Sequence, residues 1–312
     1  MDSSEIYSQV REHYSSASRS TSVKYGETVA KSFGYSADEL SAIPSDANLG
    51  LSCGNPLAIA SLKEGETVID LGSGAGFDIF LASPKVGLSG RAIGIDMNDD
   101  MLARANQILA TSPSPTKSNI TFLRANIAAA LPLPSDTVDC AISNCVINLV
   151  PAADKPAVFT ELLRVLKPGG GRVAVSDILA KKPLPEDLKR DMALYVGCIA
   201  GASEVGEYEA WLRGAGFDDV MIVDTGADLN VYLETAEDGE KKGGCCDPAP
   251  AGSTECCVPK ATVAGKMDQK KGDCCEPAPA GSAECCVPKA TVAGKMDLNE
   301  FVGSYKIFAV KK

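Results

Sequence analysis

The chain has 312 residues, 45% of them hydrophobic, and a formal net charge of −11. That length supports one large or two small domains with a proper core. The charge argues against nucleic acid and anionic membrane as partners, and no apolar run is long enough to span a bilayer.

The first five residues, Met1 to Glu5, carry no basic-then-apolar secretory pattern, and the end, Ala309 to Lys312, carries no lipidation pattern. The expectation is a soluble, cytoplasmic, monomeric protein. Twelve cysteines stand against one histidine, His13. In a cytosolic chain of this size such thiols are expected reduced, for metal binding or catalysis rather than disulfides. Nothing near His13 suggests a catalytic dyad.

In chain order, residues 4–18 read as a helix with Ile6, Val10 and Tyr14 on one stripe. Ser36 to Glu39 is a capping box. Residues 45–56 read as loop and 57–62 as a short helix. The first 62 residues are expected to form a helical cap over an α/β core at 63–237. Strands are expected at 67–71, 91–95, 120–123, 138–143 and 172–177. Helices are expected at 77–83, 98–110, about 125–130 and 154–166. This alternation predicts an α/β, Rossmann-like, doubly wound and mostly parallel sheet. Arg164, before the Leu166 to Gly170 break, reads as a solvated helix-end cation. Residues 186–200 and 204–214 read as helices, 216–223 as a sixth strand and 303–310 as a seventh, with the last element of the core at 298–312.

The sixth and seventh strands are separated by a tandem repeat. Cys245 to Asp268 recurs at Cys274 to Asp297, with Asp247 replaced by Glu276 and Thr254 by Ala283. Each copy holds two Cys pairs nine residues apart: Cys245, Cys246, Cys256 and Cys257, then Cys274, Cys275, Cys285 and Cys286. The composition is too poor in large apolar residues for a core, so 238–297 reads as a flexible insertion.

The centre of the chain is the run Val68 to Asp78. An apolar strand ends in Asp70, and Gly72, Gly74 and Gly76 lead into a helix. A second strand ends at Asp96, placed to grip ribose hydroxyls. The spacing is G-x-G-x-G, which resembles the S-adenosylmethionine (SAM) loop of class I methyltransferases. A dinucleotide site is the alternative.

Four cysteines lie outside the repeats. Cys140, inside an apolar strand, reads as a small core residue. Cys145 follows Ser143 and Asn144 at the end of the fourth strand, where doubly wound sheets bind ligands. Cys53 lies in the loop before the first strand and Cys198 on the helix after the fifth. Each of these two reads equally as packing or function by itself. All three segments can overhang the strand ends, and together they suggest a three-thiolate site. Their spacing does not fit zinc. Soft thiolates select soft ions, and trivalent arsenic takes three of them while keeping a lone pair for attack on a methyl sulfonium.

Five segments resemble the arsenite methyltransferase family: Asn48 to Leu57, Asp70 to Asp78, Gly94 to Met97, Ile142 to Leu149 and Arg164 to Gly169. The resemblance covers roughly residues 20–225. It implies that Cys53, Cys145 and Cys198 bind arsenite, and that SAM supplies methyl groups stepwise to give methylated arsenicals. It also implies a thiol reductant such as glutathione or thioredoxin. The SAM site would comprise Asp70, Gly72, Gly74, Gly76, Asp96, Met97, Ile127 and Asn144. Family members often carry a Cys upstream of the first arsenic ligand; here nothing before Cys53 is Cys. The usual acidic residue near Ala129 is also missing, which leaves the adenine to backbone groups near Ile127 or to apolar packing. The alternative is a SAM-dependent methyltransferase of a small organic acceptor with a separate metal-sequestering, Cys-rich segment. The repeat thiols read either as capture sites for arsenite or another soft metal, as reducing thiols, or as a dispensable linker.

Overall fold

The computed structural model describes residues 2–20, 23–112, 117–189, 195, 197–234, 246–248, 257–259, 275–277, 286–288 and 297–312. Seven strands form one sheet: β1 (Thr67–Leu71), β2 (Arg91–Asp96), β3 (Ile120–Arg124), β4 (Cys140–Asn144), β5 (Gly171–Ala180), β6 (Asp218–Asp224) and β7 (Val302–Lys311). Their order is β3-β2-β1-β4-β5-β7-β6. The first five run parallel, and β7 is antiparallel to both β5 and β6. The fold is therefore the Rossmann-like sheet that the alternating pattern predicts.

The central strands are buried along their length because helices cover both faces. β5 has ten consecutive buried residues, and in β1 Val68, Ile69 and Leu71 pack on both sides. One layer holds α7 (Lys155–Val165) and α9 (Val205–Ala215), which press Phe159, Leu162, Tyr208 and Leu212 onto the sheet. Between them lies the short α8 (Glu186–Lys189). The other layer holds α5 (Phe77–Val86) and α6 (Asp99–Thr111), with Phe80, Met101 and Ile108 inward.

The N-terminal helices α1 (Ser3–Ser20), α2 (Val23–Ser32), α3 (Ala37–Ser41) and α4 (Leu57–Ala60) precede the sheet. Ser36 and Glu39 close the capping box on α3 that the sequence predicts. Helix α1 is fastened across the sheet's C-terminal edge by Asn98, which caps α6 with its side-chain oxygen and donates from Nδ2 to the Arg11 carbonyl at 2.9 Å. His13 is exposed, edge-on to Tyr14. A last short helix, α10 (Val231–Glu234), follows β6.

Three local expectations change. Residues 125–130 form a turn, not a helix: the Asn126 side chain accepts from Ala128 N–H, and Glu161 accepts from Leu131 N–H at 2.6 Å, so these amides bond to side chains instead of a helical ladder. Arg164 is no free helix-end cation. It pairs with Glu161 at 2.5 Å and donates to the carbonyls of Leu131 and Leu133, bracing that same turn. Of the helix expected over 186–200, residues 186–189 and 195 are helical, 190–194 and 196 lie outside the described residues, and 197–200 are turn and bend.

Most of the proposed insertion at 238–297, including Cys245, Cys256, Cys274 and Cys285, lies outside the described residues. The described backbone there makes two antiparallel pairs, Cys246–Pro248 with Cys257–Pro259 and Cys275–Pro277 with Cys286–Pro288. Among the described residues no helix is long and apolar enough to cross a membrane.

Candidate active site

β1 sits between β2 and β4, so the connections leave it in opposite directions and open a cleft beyond the strand ends. Glycines shape its floor. At Gly72, φ is +67°, and a Cβ would stand 2.5 Å from Val146 Cγ1, so the turn admits no side chain. Gly74 N–H donates to Asp96 at 2.9 Å, which locks the loop to the end of β2. Asp70, Gly72, Gly74, Asp96, Met97 and Ile127 all line the cleft, as does Asn144. Helix α1 roofs it with Tyr7, Val10 and Tyr14.

Gly76 is the exception among the expected cofactor contacts. It does not line the cleft. It has φ +90° at the start of α5, and a Cβ there would meet Phe122 at 2.7 Å. Its role is the close packing of helix on strand.

The cleft suits a cationic ligand. Burial pushes the Asp70 carboxyl well above its ordinary range, helped by the charges of Asp78 and Asp96. Burial also raises Asp78 to about 6, against hydrogen bonds from Tyr35 and Asn144 that lower it. Asp96 is raised by burial, opposed by the N–H groups of Asn98, Gly74 and Met97. Three acids crowded into one buried cleft are relieved by a positive partner. The apolar Met97, Ile127 and Val146 offer a bed for a flat ring. An ammonium- and sulfonium-bearing adenosyl group fits this donor set.

At the inner end of the cleft the thiols converge. Cys53 is fully buried and fixed from three strands. Its N–H donates to Asn144 Oδ1 at 3.2 Å, its carbonyl accepts from Ser304 Oγ at 2.6 Å, and its thiol points to the Ser176 carbonyl at 3.7 Å. Cys145 lines the cleft just past β4, with its N–H on the Ser176 carbonyl at 2.8 Å. Cys198 lies in a turn and not on a helix. Asn148 Nδ2 donates to its carbonyl at 3.1 Å, and its own thiol donates to the Cys145 carbonyl at 2.7 Å. Cys145 has φ +59° and Cys198 φ +65°. Left-handed backbone costs a non-glycine residue on the order of 1–3 kcal/mol, and such strain gathers at functional sites. Cys140 is buried in the sheet core against Ile142 and Ala174, as expected for a packing residue.

The thiols are protonated in this environment. Burial raises Cys53 to about 12 and carries Cys145 well above its ordinary value. Cys198 is raised by its interaction with the Cys145 thiol and then by burial. Tyr14 from α1 is hydrogen-bonded to Cys198, and its hydroxyl is raised by burial first and then by the neighbouring sulfurs.

Beneath the thiols lies a group that sequence reasoning passes over. Asp177 on β5 is fully buried; its Oδ1 accepts from Ile178 N–H at 2.9 Å, while Oδ2 has no hydrogen-bond partner. The N–H groups of Ile147 and Asn148 stand near enough to favour the carboxylate, but they do not satisfy Oδ2. Burial raises Asp177 to about 7, opposed by Lys155. Lys155 is itself buried, lowered to about 8 by desolvation, and donates to the Gly201 carbonyl at 2.5 Å and Ser203 Oγ at 2.8 Å. It thereby staples the segment that carries Cys198. A lone carboxylate in the apolar run of β5 was the available signal for Asp177. The run gives no hint that it faces cysteines 32 to 124 residues away in the chain.

A family profile described as "Methyltransferase domain" matches residues 62–216. An arsenite methyltransferase of Halobacterium salinarum is 43% identical over 215 residues, covering 65% of this chain and 53% of that protein. An arsenite methyltransferase of Aquipseudomonas alcaligenes is 38% identical over 175 residues, covering 55% and 49%. The chain is thus similar to arsenite methyltransferases and carries a methyltransferase domain at residues 62–216. It spans about half the length of the curated family members it matches. Among solved structures, phosphoethanolamine N-methyltransferase 2 of Haemonchus contortus in complex with S-adenosyl-L-methionine is similar in fold, with a TM-score of 0.50 at 15% identity over 82% of this chain and 52% of that one.

Proposed function

We propose that this chain transfers methyl groups from SAM to trivalent arsenic held by Cys53, Cys145 and Cys198, as a means of arsenic detoxification. The observation that carries the reading is the placement of Cys145. It lines the cleft beside the glycine loop and also stands among the buried thiols, so acceptor and donor sites share one residue.

The residues divide the work. Asp70 and Asp78 provide negative charge for a cationic cosubstrate, and Met97, Ile127 and Val146 an apolar bed. Bound in the cleft, SAM supplies an electrophilic methyl group. Arsenite condenses with the three neutral thiols, three hydroxides leaving as water, and the arsenic keeps its lone pair. The attacking atom has no proton to lose, so the chain needs no histidine base. Orientation by fixed thiols then supplies much of the rate. A thiol reductant such as glutathione or thioredoxin would return the site to its reduced form between turnovers. The eight repeat cysteines would serve as accessory soft-metal sites. The chain would act as a soluble monomer in the cytoplasm, with its 1–62 cap, 63–237 core and 238–297 insertion as separate units.

The test is mass spectrometry of the arsenic species formed by the purified protein with arsenite, SAM and glutathione. Mono- and dimethylated arsenicals are expected. Absence of any methylated arsenic under conditions where SAM binds would overturn the reading.

A further inference from the structure

The tightest cluster of soft and hard donors among the described residues is not the three cysteines. It is Cys53, Cys145 and Asp177, whose ligand atoms all lie within 4.8 Å of one another and are all buried. Cys198 is not part of this group: its thiol touches Cys145 alone among the three, donating to the carbonyl at 2.7 Å and lying against the thiol. The geometry points to a binding site for a thiophilic divalent cation, zinc or cadmium, made by the Cys53 and Cys145 thiolates and the Asp177 carboxylate.

Three features support it. First, Asp177 Oδ2 is a fully buried acceptor with no partner. Such an atom costs on the order of 1–3 kcal/mol, and a cation would satisfy it. Second, the spacing is near what a metal needs. With metal–sulfur bonds of about 2.3 Å, the ligand atoms of a tetrahedral site stand about 3.8 Å apart, so side-chain rotations of about 1 Å close it. Third, the charges balance. The Cys53 and Cys145 thiols give up their two protons to solvent as the metal–sulfur bonds form; two thiolates and one carboxylate then give a divalent cation a net charge of −1, and the buried ammonium of Lys155, which interacts electrostatically with Asp177, offsets it. Two cysteines and a carboxylate leave the fourth position open, as in catalytic rather than structural zinc sites.

The site overlaps the arsenic site but is not identical to it. Arsenic in the proposed reaction uses Cys198 and has no need of Asp177, whereas the cation uses Asp177 and has no need of Cys198. A bound divalent cation would therefore exclude arsenite while leaving the SAM cleft free. That competition rests on the proposed arsenite reaction; the metal site itself does not.

The experiment uses the full chain with the eight repeat cysteines changed to serine, titrated with Cd²⁺ and then Zn²⁺. Affinity is read by competition with a chelating dye, and thiolate number by the cadmium–sulfur charge-transfer absorbance. One Cd²⁺ with two thiolates is expected. Asp177→Asn should weaken Cd²⁺ at least tenfold while SAM binding persists, and Cys53→Ser should weaken it further. Cys198→Ser should hold Cd²⁺ within twofold of the parent. Equal Cd²⁺ affinity in Asp177→Asn and the parent would overturn the site. So would a loss in Cys198→Ser as large as in Cys53→Ser. If the parent binds Cd²⁺ as described yet makes no methylated arsenic, the reaction falls and the metal site stands.

Discussion

Replacing Asn144 with leucine should break the link between the cofactor cleft and the thiols. Asn144 Nδ2 faces three acceptors, the Tyr35 hydroxyl at 2.8 Å, the Gly54 carbonyl at 3.0 Å and Asp78 Oδ2 at 3.0 Å, and Oδ1 accepts from Cys53 N–H at 3.2 Å. Two N–H groups and one oxygen give about three net hydrogen bonds. At roughly 1 kcal/mol each, with Cys53 N–H and Asp78 left under-satisfied, the expected loss is about 2–4 kcal/mol. Urea unfolding of the parent and Asn144→Leu, compared at equal m-value, measures it. The same change frees the loop that carries Cys53, so arsenite affinity measured by calorimetry should fall about tenfold or more. A stability loss under about 0.5 kcal/mol together with unchanged arsenite affinity would refute the view of Asn144 as the joint between the two halves of the site.

Cys145→Ser should reduce methylated arsenic by about 100-fold or more, since displacing a reacting group has costs of that order. Cys140→Ser should keep turnover and cost only stability, about 1–3 kcal/mol for the buried hydroxyl, seen as a lower Tm. SAM affinity should fall about tenfold between pH 7 and pH 5, because Asp78, raised to about 6, becomes neutral there and ceases to attract a cation. Without SAM the sign reverses. A raised carboxyl favours the fold while protonated, so its contribution is lost as pH rises from about 4 through about 6. Calorimetry with Asp78→Asn, which should flatten the SAM profile, checks both. Deleting 241–297 should leave methyl transfer intact, since Asn230 Oδ1 accepts from Leu298 N–H at 3.1 Å and Asp228 Oδ1 from Asn299 Nδ2 at 2.7 Å across the base of the insertion. Loss of cadmium tolerance in cells carrying the shortened chain would give the repeats a thiol role; unchanged tolerance would make them a linker.

Much of the sheet was legible because β1, β2, β4 and β5 are apolar runs that end at turn residues, and the order of such runs constrains a doubly wound topology. The glycine loop could be placed by spacing, but its three glycines could not be told apart. Gly72 turns beneath the cleft, while Gly76 packs against Phe122, a residue of another strand. The alanines of residues 125–130 suggest helix, whereas the turn is held by the side chains of Asn126, Glu161 and Arg164. The helix suggested for Cys198 fails for a related reason. The segment has helical composition, yet Lys155 and Asn148, both distant in sequence, bind its carbonyls. Asp177 stayed hidden because its meaning lies in what it faces.

The buried charges bear on how the proposed site would take a trivalent metalloid without a base. Burial raises Cys53 and Cys145, and the Cys145 thiol followed by burial raises Cys198, so all three favour the neutral thiol before binding. Three thiols and arsenous acid form a neutral trithiolate and three waters, so no net charge enters the apolar cluster around Ile178, Leu149 and Ile199. Asp177 and Lys155 already oppose one another as a buried pair and need not change when arsenic arrives. A mechanism that began with a thiolate would have to hold an uncompensated anion in this setting, at a cost of several kcal/mol. Proton-neutral capture therefore needs no base beside the thiols. It requires arsenite affinity to change by less than about threefold between pH 6.5 and 8. A tenfold rise per pH unit would mean that thiolate is the species that binds.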